Sequence, residues 1–293
     1  MYDIAHYYRA TSIDDAVRQL AADPQARLIA GGTDVLIQLH HINGKYRHLV
    51  DIHGLNELNG IMLLPDDTLR IGSGTTFSQI IDSPLVQRHI PILAEAAATI
   101  AGPQVRNMAT LGGNICNGAT SADSASPCVV MEAELEIATP TGLRRTPIQG
   151  FHTGPGKVAL GQNEVAVALL FRPQHYQHFG ASYYKYAMRG AMDIATIGCA
   201  AACKIENGHF SAVKIAFGVA APTPIRAPNA ETAALGQPFN AQTLAAVREA
   251  VIRDVLPRSS WRASKEFRMQ IIRTLAERVL AQAAQRAGGE LSC

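Results

Sequence analysis

Charge is sparse in this chain. Only 17% of its 293 residues are Asp, Glu, Lys or Arg, and the two signs nearly balance at a formal +2. A nucleic-acid surface needs a concentrated basic stripe, and these lysines and arginines are scattered. The one modest cluster, between Arg253 and Arg268, reads as decoration of a helix. Long apolar runs are missing as well: no stretch reaches the roughly 18 residues of a membrane span. The opening MYDIAHYYRATSIDDAV has neither the basic nor the apolar region of a secretory signal. The five cysteines (116, 128, 199, 203 and 293) are odd in number and form no CxxC pair, which argues against a disulfide framework and fits a reduced, cytoplasmic setting. Cys199 and Cys203 would share one face of a strand, but no His or Cys at metal spacing accompanies them. They read as small buried hydrophobes. His6, His40, His41, His53 and His152 likewise lack partners at metal spacing, and no Ser/His/Asp or paired-carboxylate pattern stands out.

What is present is an ordinary globular balance, with 47% hydrophobic residues in a chain long enough for two domains. Ser12-Ile-Asp-Asp15 predicts a capped helix with Ile13, Ala16, Val17 and Leu20 on one face, ending near Asp23-Pro24. Short strands are expected at 27–30, 49–52, 69–72, 134–137 and 164–171, and helices at about 33–40, 77–81 and 91–100. The pattern changes between Arg172 and Gly180, so a boundary is placed there, dividing the chain into residues 1–176 and 177–293. Strands at 182–188, 194–205 and 212–219 follow, with Asn207-Gly208 as a hairpin turn. Helices at about 229–235, 241–255 and 264–286 close the chain. The last has Phe267, Ile271, Leu275 and Val279 as its core-facing stripe.

The most informative stretch is Gly102–Pro127, GPQVRNMATLGGNICNGATSADSASP, where small and polar residues crowd together and only Arg106 and Asp123 are charged. It reads as a loop that can bury little apolar area. Its backbone N–H groups and short side chains suit close approach to a phosphate. A second segment of the same chemistry, Leu28-Ile-Ala-Gly-Gly-Thr-Asp-Val35, lies at a strand-to-helix junction, where N–H groups favour an anion. Alone, Gly31-Gly32-Thr33-Asp34 could equally be a capped turn, and it lacks the GxGxxG spacing of a Rossmann fold. Paired with Thr110-Leu-Gly-Gly-Asn114, it points to a nucleotide with a pyrophosphate, with Ser121 and Asp123 placed to meet ribose hydroxyls. Tyr184-Lys185-Tyr186 could flank a redox ring, although a half-exposed strand with Lys185 in solvent accounts for it better on sequence alone.

LIAGGTDVLIQL, AGPQVRNMATLGGNICNGATSADSASP, KYAMR…DIATIGCAAAC and GVAAPTPIRA together resemble the medium, FAD-binding subunits of the molybdenum hydroxylases over nearly the whole chain, and among them most the separately encoded FAD subunit of bacterial xanthine dehydrogenase. The resemblance implies an α+β architecture. A vanillyl-alcohol-oxidase/PCMH-type FAD-binding domain of two α/β subdomains would be followed by a smaller C-terminal domain of antiparallel sheet plus helices. It implies FAD as cofactor, with Leu28, Ile29, Ala30, Gly31, Gly32, Thr33, Asp34 and Val35 on one side of the pyrophosphate. Ile100, Ala101, Val105, Ala109, Thr110, Leu111, Gly112, Gly113 and Asn114 would line the other. Asn117, Ser121 and Asp123 would reach the ribose and adenine end, and Val165, Tyr184 and Lys185 would lie near the isoalloxazine.

The implied partners are a large subunit carrying the molybdenum cofactor, a small [2Fe-2S] subunit, and NAD as electron acceptor. No catalytic acid or base, no metal, no nucleic acid and no membrane are expected. Gly190-Ala-Met192 lacks the acidic residues that animal xanthine dehydrogenases carry in this loop, which leaves NAD or oxygen open as acceptor. No cysteine-rich insertion for a [4Fe-4S] cluster is present. The alternatives are the flavin subunit of another molybdenum hydroxylase, acting on aldehydes, carbon monoxide or N-heterocycles, and a non-catalytic flavin-binding assembly module. On the leading reading, Gly113→Val removes FAD, seen as a collapse of the flavin-to-protein ratio, and leaves the C-terminal domain folded.

Overall fold

The computed structural model describes residues 2–291, so Cys293 lies outside the described residues. The first sheet is parallel and three-stranded: His48–Asp51 runs between His6–Arg9 and Arg27–Ile29. The helix Ile13–Ala22 begins as expected, with the Ser12 side chain accepting from the Asp15 N–H and Ala16, Val17 and Leu20 buried. The second sheet is antiparallel, in the order Ile61–Leu63, Leu69–Gly72, Val165–Phe171, Glu134–Thr139, Gly142–Pro147. Its central strand, VAVALLF, is buried along its whole length. An apolar run without alternation is what a strand covered on both faces requires.

The third sheet organises the C-terminal half, in the order Gly180–Tyr186, Ile197–Glu206, His209–Gly218, Ile225–Arg226. Side chains alternate across it. Ala181, Tyr183, Ala200, Ala202 and Ala216 face the first core, against the helices Pro91–Ala98 and Ala125–Val130. Cys199, Ala201, Cys203, Ile215 and Phe217 face the other way, onto Leu275, Val279 and Ala283 of the helix Lys265–Arg286. The cysteines are therefore small core residues, and burial pushes both thiols up, Cys203 to about 12. Asn207 and Gly208 turn the central hairpin, both at positive φ (51° and 77°). Where Gly180 crosses the long helix, an added Cβ would lie 2.2 Å from the Ala283 carbonyl oxygen. Only glycine permits that approach.

Two expectations need correction, a third holds in part, and one helix was not predicted. Gly102–Pro127 is not a loop: it contains the short helices Pro103–Arg106, Leu111–Cys116 and Ala125–Val130. Pro103 starts the first and Thr110 caps the second, while small side chains let all three pack closely. A helix at Pro84–His89, capped by Ser83, escaped notice. In the last helix the buried face runs through Arg268, Ile272, Leu275, Ala276 and Val279, whereas Phe267 is 45% exposed. Strict i+4 spacing advances more than one turn per step, so the anticipated stripe drifts off the core at its N-terminal end. Finally, the cations between Arg253 and Arg268 are divided: Lys265 and Arg268 lie on the helix Lys265–Arg286, as expected, whereas Arg258 and Arg262 sit on an irregular strap over residues 254–264. Among the described residues no helix is long and apolar enough to cross a membrane.

Gly180→Ala should lower stability by about 1–3 kcal/mol, the usual cost of overpacking. Urea unfolding monitored by circular dichroism reads this directly, and an unchanged midpoint would contradict the close crossing.

Candidate functional site

A cavity of about 600 Å³ opens between the first two sheets, a size suited to a drug-sized or cofactor-sized ligand. Leu28, Ala30, Gly31, Gly32, Thr33, Asp34 and Val35 form one wall. Ala109, Thr110, Gly112, Gly113, Asn114 and Asn117 form the opposite one. The walls touch at their base. A Cβ on Gly31 would stand 1.6 Å from the Met108 carbonyl oxygen, so no other residue fits there. Gly32 has φ +70°, which turns the chain from the strand Arg27–Ile29 toward the helix Val35–His40.

Hydrogen bonding separates the two walls. The N–H groups of Gly31, Gly32, Thr33, Asp34 and Val35 have no acceptor among the described residues. Five consecutive free donors lining a cavity form a concavity that an oxyanion can complete. The opposite wall is already satisfied: Leu111 N–H donates to the Thr75 carbonyl, Gly112 N–H to the Ser73 carbonyl, and Gly113 N–H to Thr110 Oγ1. Its glycines serve close packing, since a Cβ on Gly112 would meet Ser73 Cβ at 2.5 Å. The side-chain amides it offers are Asn117, without a partner among the described residues, and Asn114. Ser124 Oγ donates to Asn114 Oδ1 at 2.6 Å, which leaves the Asn114 Nδ2 amide without an acceptor among the described residues. A diphosphate therefore fits against Gly31–Val35, with Asn114 opposite. Arg27, the one guanidinium in the described lining, has its Nη1 turned away to the carbonyls of Pro24 and Ala26 and to Gln162 Oε1.

Asp34 contributes its N–H to this row, whereas its carboxylate, raised above its usual value by burial, has no hydrogen-bond donor among the described residues. A carboxylate repels phosphate but accepts from a ribose hydroxyl. Gln38, Asn43, Lys45, Tyr46 and His53 complete this side of the cavity and were not anticipated. The signal was available: Asn43-Gly44 is a turn pair directly after the first motif, and Asn43 caps the 3-10 turn Gly44–Tyr46 that carries Lys45 and Tyr46.

The remaining expected residues lie elsewhere. Lys185 is not in solvent. Its Nζ donates to Asp123 Oδ2 at 2.8 Å and to the Thr99 carbonyl at 3.0 Å, while Tyr183 donates to Asp123 Oδ1 at 2.8 Å. Both charged side chains are 8% exposed. Burial raises the Asp123 carboxyl above its usual value against the opposing pull of Lys185 and Tyr183. Tyr184, its neighbour on the strand, is the exposed residue at 51%. Asp123 and Lys185 thus cannot serve opposite ends of one cofactor: they are a single ion pair. Ile100 and Ala101 adjoin Thr99 in a tight turn, with Ala101 at φ +41° and Arg106 Nη1 donating to both carbonyls. Val105 supplies the carbonyl that receives the Met108 and Ala109 N–H groups. Ser121 lies outside the cavity lining, as does Ile29, whose Cδ1 lies under Gly32.

Val165 and Leu111 are corrections. Both are wholly enclosed in the apolar cores, and their neighbours Ala166 and Gly112 face the cavity instead. In each case a one-residue offset sends the side chain to the other face.

Comparison with known proteins agrees with this geometry. Residues 2–171 match the model for the FAD-binding domain in molybdopterin dehydrogenase, and residues 182–283 match the carbon monoxide dehydrogenase flavoprotein C-terminal domain. The chain is 60% identical over 291 residues to the xanthine dehydrogenase FAD-binding subunit of Escherichia coli O157:H7, covering 99% of this chain and 100% of that one. It is 33% identical to the carbon monoxide dehydrogenase medium chain of Hydrogenophaga pseudoflava over 94% of its length and 95% of the other. The solved structure of the carbon monoxide dehydrogenase from that organism superposes with a TM-score of 0.93 at 33% identity, covering 98% of this chain and 99% of that chain. Quinoline 2-oxidoreductase from Pseudomonas putida 86 gives a TM-score of 0.92 at 27% identity, over 98% and 99% of the two chains.

Lys185→Met strands a buried carboxylate and should cost about 3–5 kcal/mol, and the double variant with Asp123→Asn should recover most of that loss. Denaturant midpoints of the two single variants and the double variant form the cycle. Simple additivity would mean that the pair is not coupled.

Proposed function

The chain belongs to the FAD-binding subunits of the molybdenum hydroxylases, and from that premise we propose that it is the flavin subunit of a cytoplasmic xanthine dehydrogenase complex. Its end-to-end likeness to the xanthine dehydrogenase FAD-binding subunit carries this reading. The partners would be a large subunit with the molybdenum cofactor, where substrate is hydroxylated, and a small [2Fe-2S] subunit, with NAD as final acceptor. Bound FAD supplies the interchange between one-electron iron–sulfur donors and a two-electron acceptor.

The chain's own residues hold and bias that cofactor. The N–H groups of Gly31–Val35 would bind the diphosphate, with the Asn114 amide across from them. The Asp34 carboxylate would accept from a ribose hydroxyl. The Thr99–Ala101 turn and the Lys185–Asp123 pair would stand at the ring end, where a fixed dipole can bias the ring electronically. This arrangement would position the cofactor.

The likeness to the carbon monoxide dehydrogenase medium chain favours, as a second reading, service to a molybdenum hydroxylase with another substrate. The large subunit's pocket separates the two.

The purified chain should be yellow, and NADH should bleach its flavin spectrum. Co-purification with the molybdenum and iron–sulfur subunits should then yield xanthine-dependent NAD reduction. A colourless protein, or a bound flavin inert to NADH, contradicts the reading. An assembled enzyme that oxidises another substrate but not xanthine selects the second reading.

A further inference from the structure

The strap over residues 254–264 crosses the surface between the turn Val251–Arg253 and the helix Lys265–Arg286, and it brings Arg258 and Arg262 toward Arg268. Arg268, in the first turn of that helix, is 2% exposed. Its guanidinium donates to the Thr196 carbonyl and, at 2.8 Å, to Ser260 Oγ, while its Nε has no acceptor. Arg262 Nε and the Thr196 hydroxyl are also enclosed without partners. Among the described residues no carboxylate pairs with Arg258, Arg262 or Arg268. Burial, and then the charges of Arg258 and Arg262, pull the Arg268 guanidinium below its ordinary value. Enclosed cations are normally paired, because desolvation without a counter-ion is costly.

The same strap is apolar at its crest. Leu256, Trp261 and Phe267 are 67%, 77% and 45% exposed, and the Arg262 guanidinium lies over the Trp261 ring, 4.3 Å from its centroid. Trp261 is the only tryptophan in the chain. A tryptophan braced by an arginine and flanked by large apolar side chains has the composition of an interface hot spot. A small free anion would satisfy the guanidiniums but leave these side chains in water. A protein segment can cover both.

We propose that this strap is the docking site for an acidic segment of another subunit of the enzyme complex. Aspartate or glutamate carboxylates of the partner would complete the Arg258–Arg262–Arg268 cluster, and apolar residues beside them would cover Leu256 and Trp261. The inference rests on the reading of the chain as one subunit of a multi-subunit hydroxylase. Because the pairing is charge-driven at its rim, association should weaken with rising salt.

The test co-expresses the full chain with the molybdenum and iron–sulfur subunits. Subunit affinity is measured for the wild type, for Trp261→Ala and for the double variant Arg258→Glu/Arg262→Glu. Arg268 is left intact because its bonds to Thr196 and Ser260 hold the strap in place. Both variants should keep the wild-type flavin-to-protein ratio and thermal midpoint. Each should bind its partners at least about tenfold more weakly, the loss expected of a hot spot, and the charge reversal should flatten the salt dependence.

Variants that assemble as tightly as the wild type overturn the docking site and leave the functional reading standing. A wild-type chain that fails to assemble with those subunits overturns both. Quenching of Trp261 fluorescence by ADP or pyrophosphate, abolished by the charge reversal while assembly stays intact, would reassign the cluster to a phosphate-bearing ligand and also overturn the proposal.

Discussion

The contact on which the cofactor site depends is the approach of Gly31 to the carbonyl of Met108. It joins a turn from the parallel sheet to a segment some seventy-five residues later. With no side chain between them, the two backbones meet and leave the N–H groups of Gly31–Val35 facing a cavity. A larger residue would separate the walls and scatter the donors. The satisfied wall is as necessary as the unsatisfied one. Ser73 and Thr75 take up the N–H groups that start the helix Leu111–Cys116 and so hold it rigid. Preorganised donors of this kind need no rearrangement to meet an anion, which lowers the cost of binding one.

A second constraint comes from the third sheet, whose two faces belong to different cores. Alanine on the face toward the helices Pro91–Ala98 and Ala125–Val130 lets the N-terminal half pack directly on the C-terminal half. Polar ties run along that seam. Lys185 reaches Asp123 and the Thr99 carbonyl, and Glu132 gathers Lys214 and Arg226 at 3.2 Å and His175 at 2.9 Å. These ties cross between the N-terminal and C-terminal halves and join the third sheet to the Thr99 carbonyl.

Much of this was legible in the residues. Ser12 announced its helix, Asn207-Gly208 its hairpin, and Cys199 and Cys203 their burial, because each depends on chemistry within a few positions. The two glycine-rich segments announced a phosphate ligand for the same reason. Their division of labour was not legible. Both have the composition of a donor-rich wall, yet the partners that silence Leu111, Gly112 and Gly113 come from residues 73, 75 and 110. Lys185 was misplaced into solvent because alternation along a strand shows which residues share a face, not what covers that face. Val165 and Leu111 failed by a single position, the smallest error a period-two or short-helix pattern allows. The drift of Phe267 out of the core came from reading i+4 spacing as a straight stripe.

By itself the sequence determined the chemistry available: a chain of balanced charge, with two small-residue segments suited to a diphosphate and four motifs that place it among flavin subunits. Those properties are local, set by residue type and spacing. Only the tertiary structure decided which N–H groups remain free, that Asp123 and Lys185 form one buried pair, and that three arginines converge without a carboxylate among the described residues. Each of these depends on contacts between residues far apart in the chain, where packing, not spacing, assigns a polar group its partner.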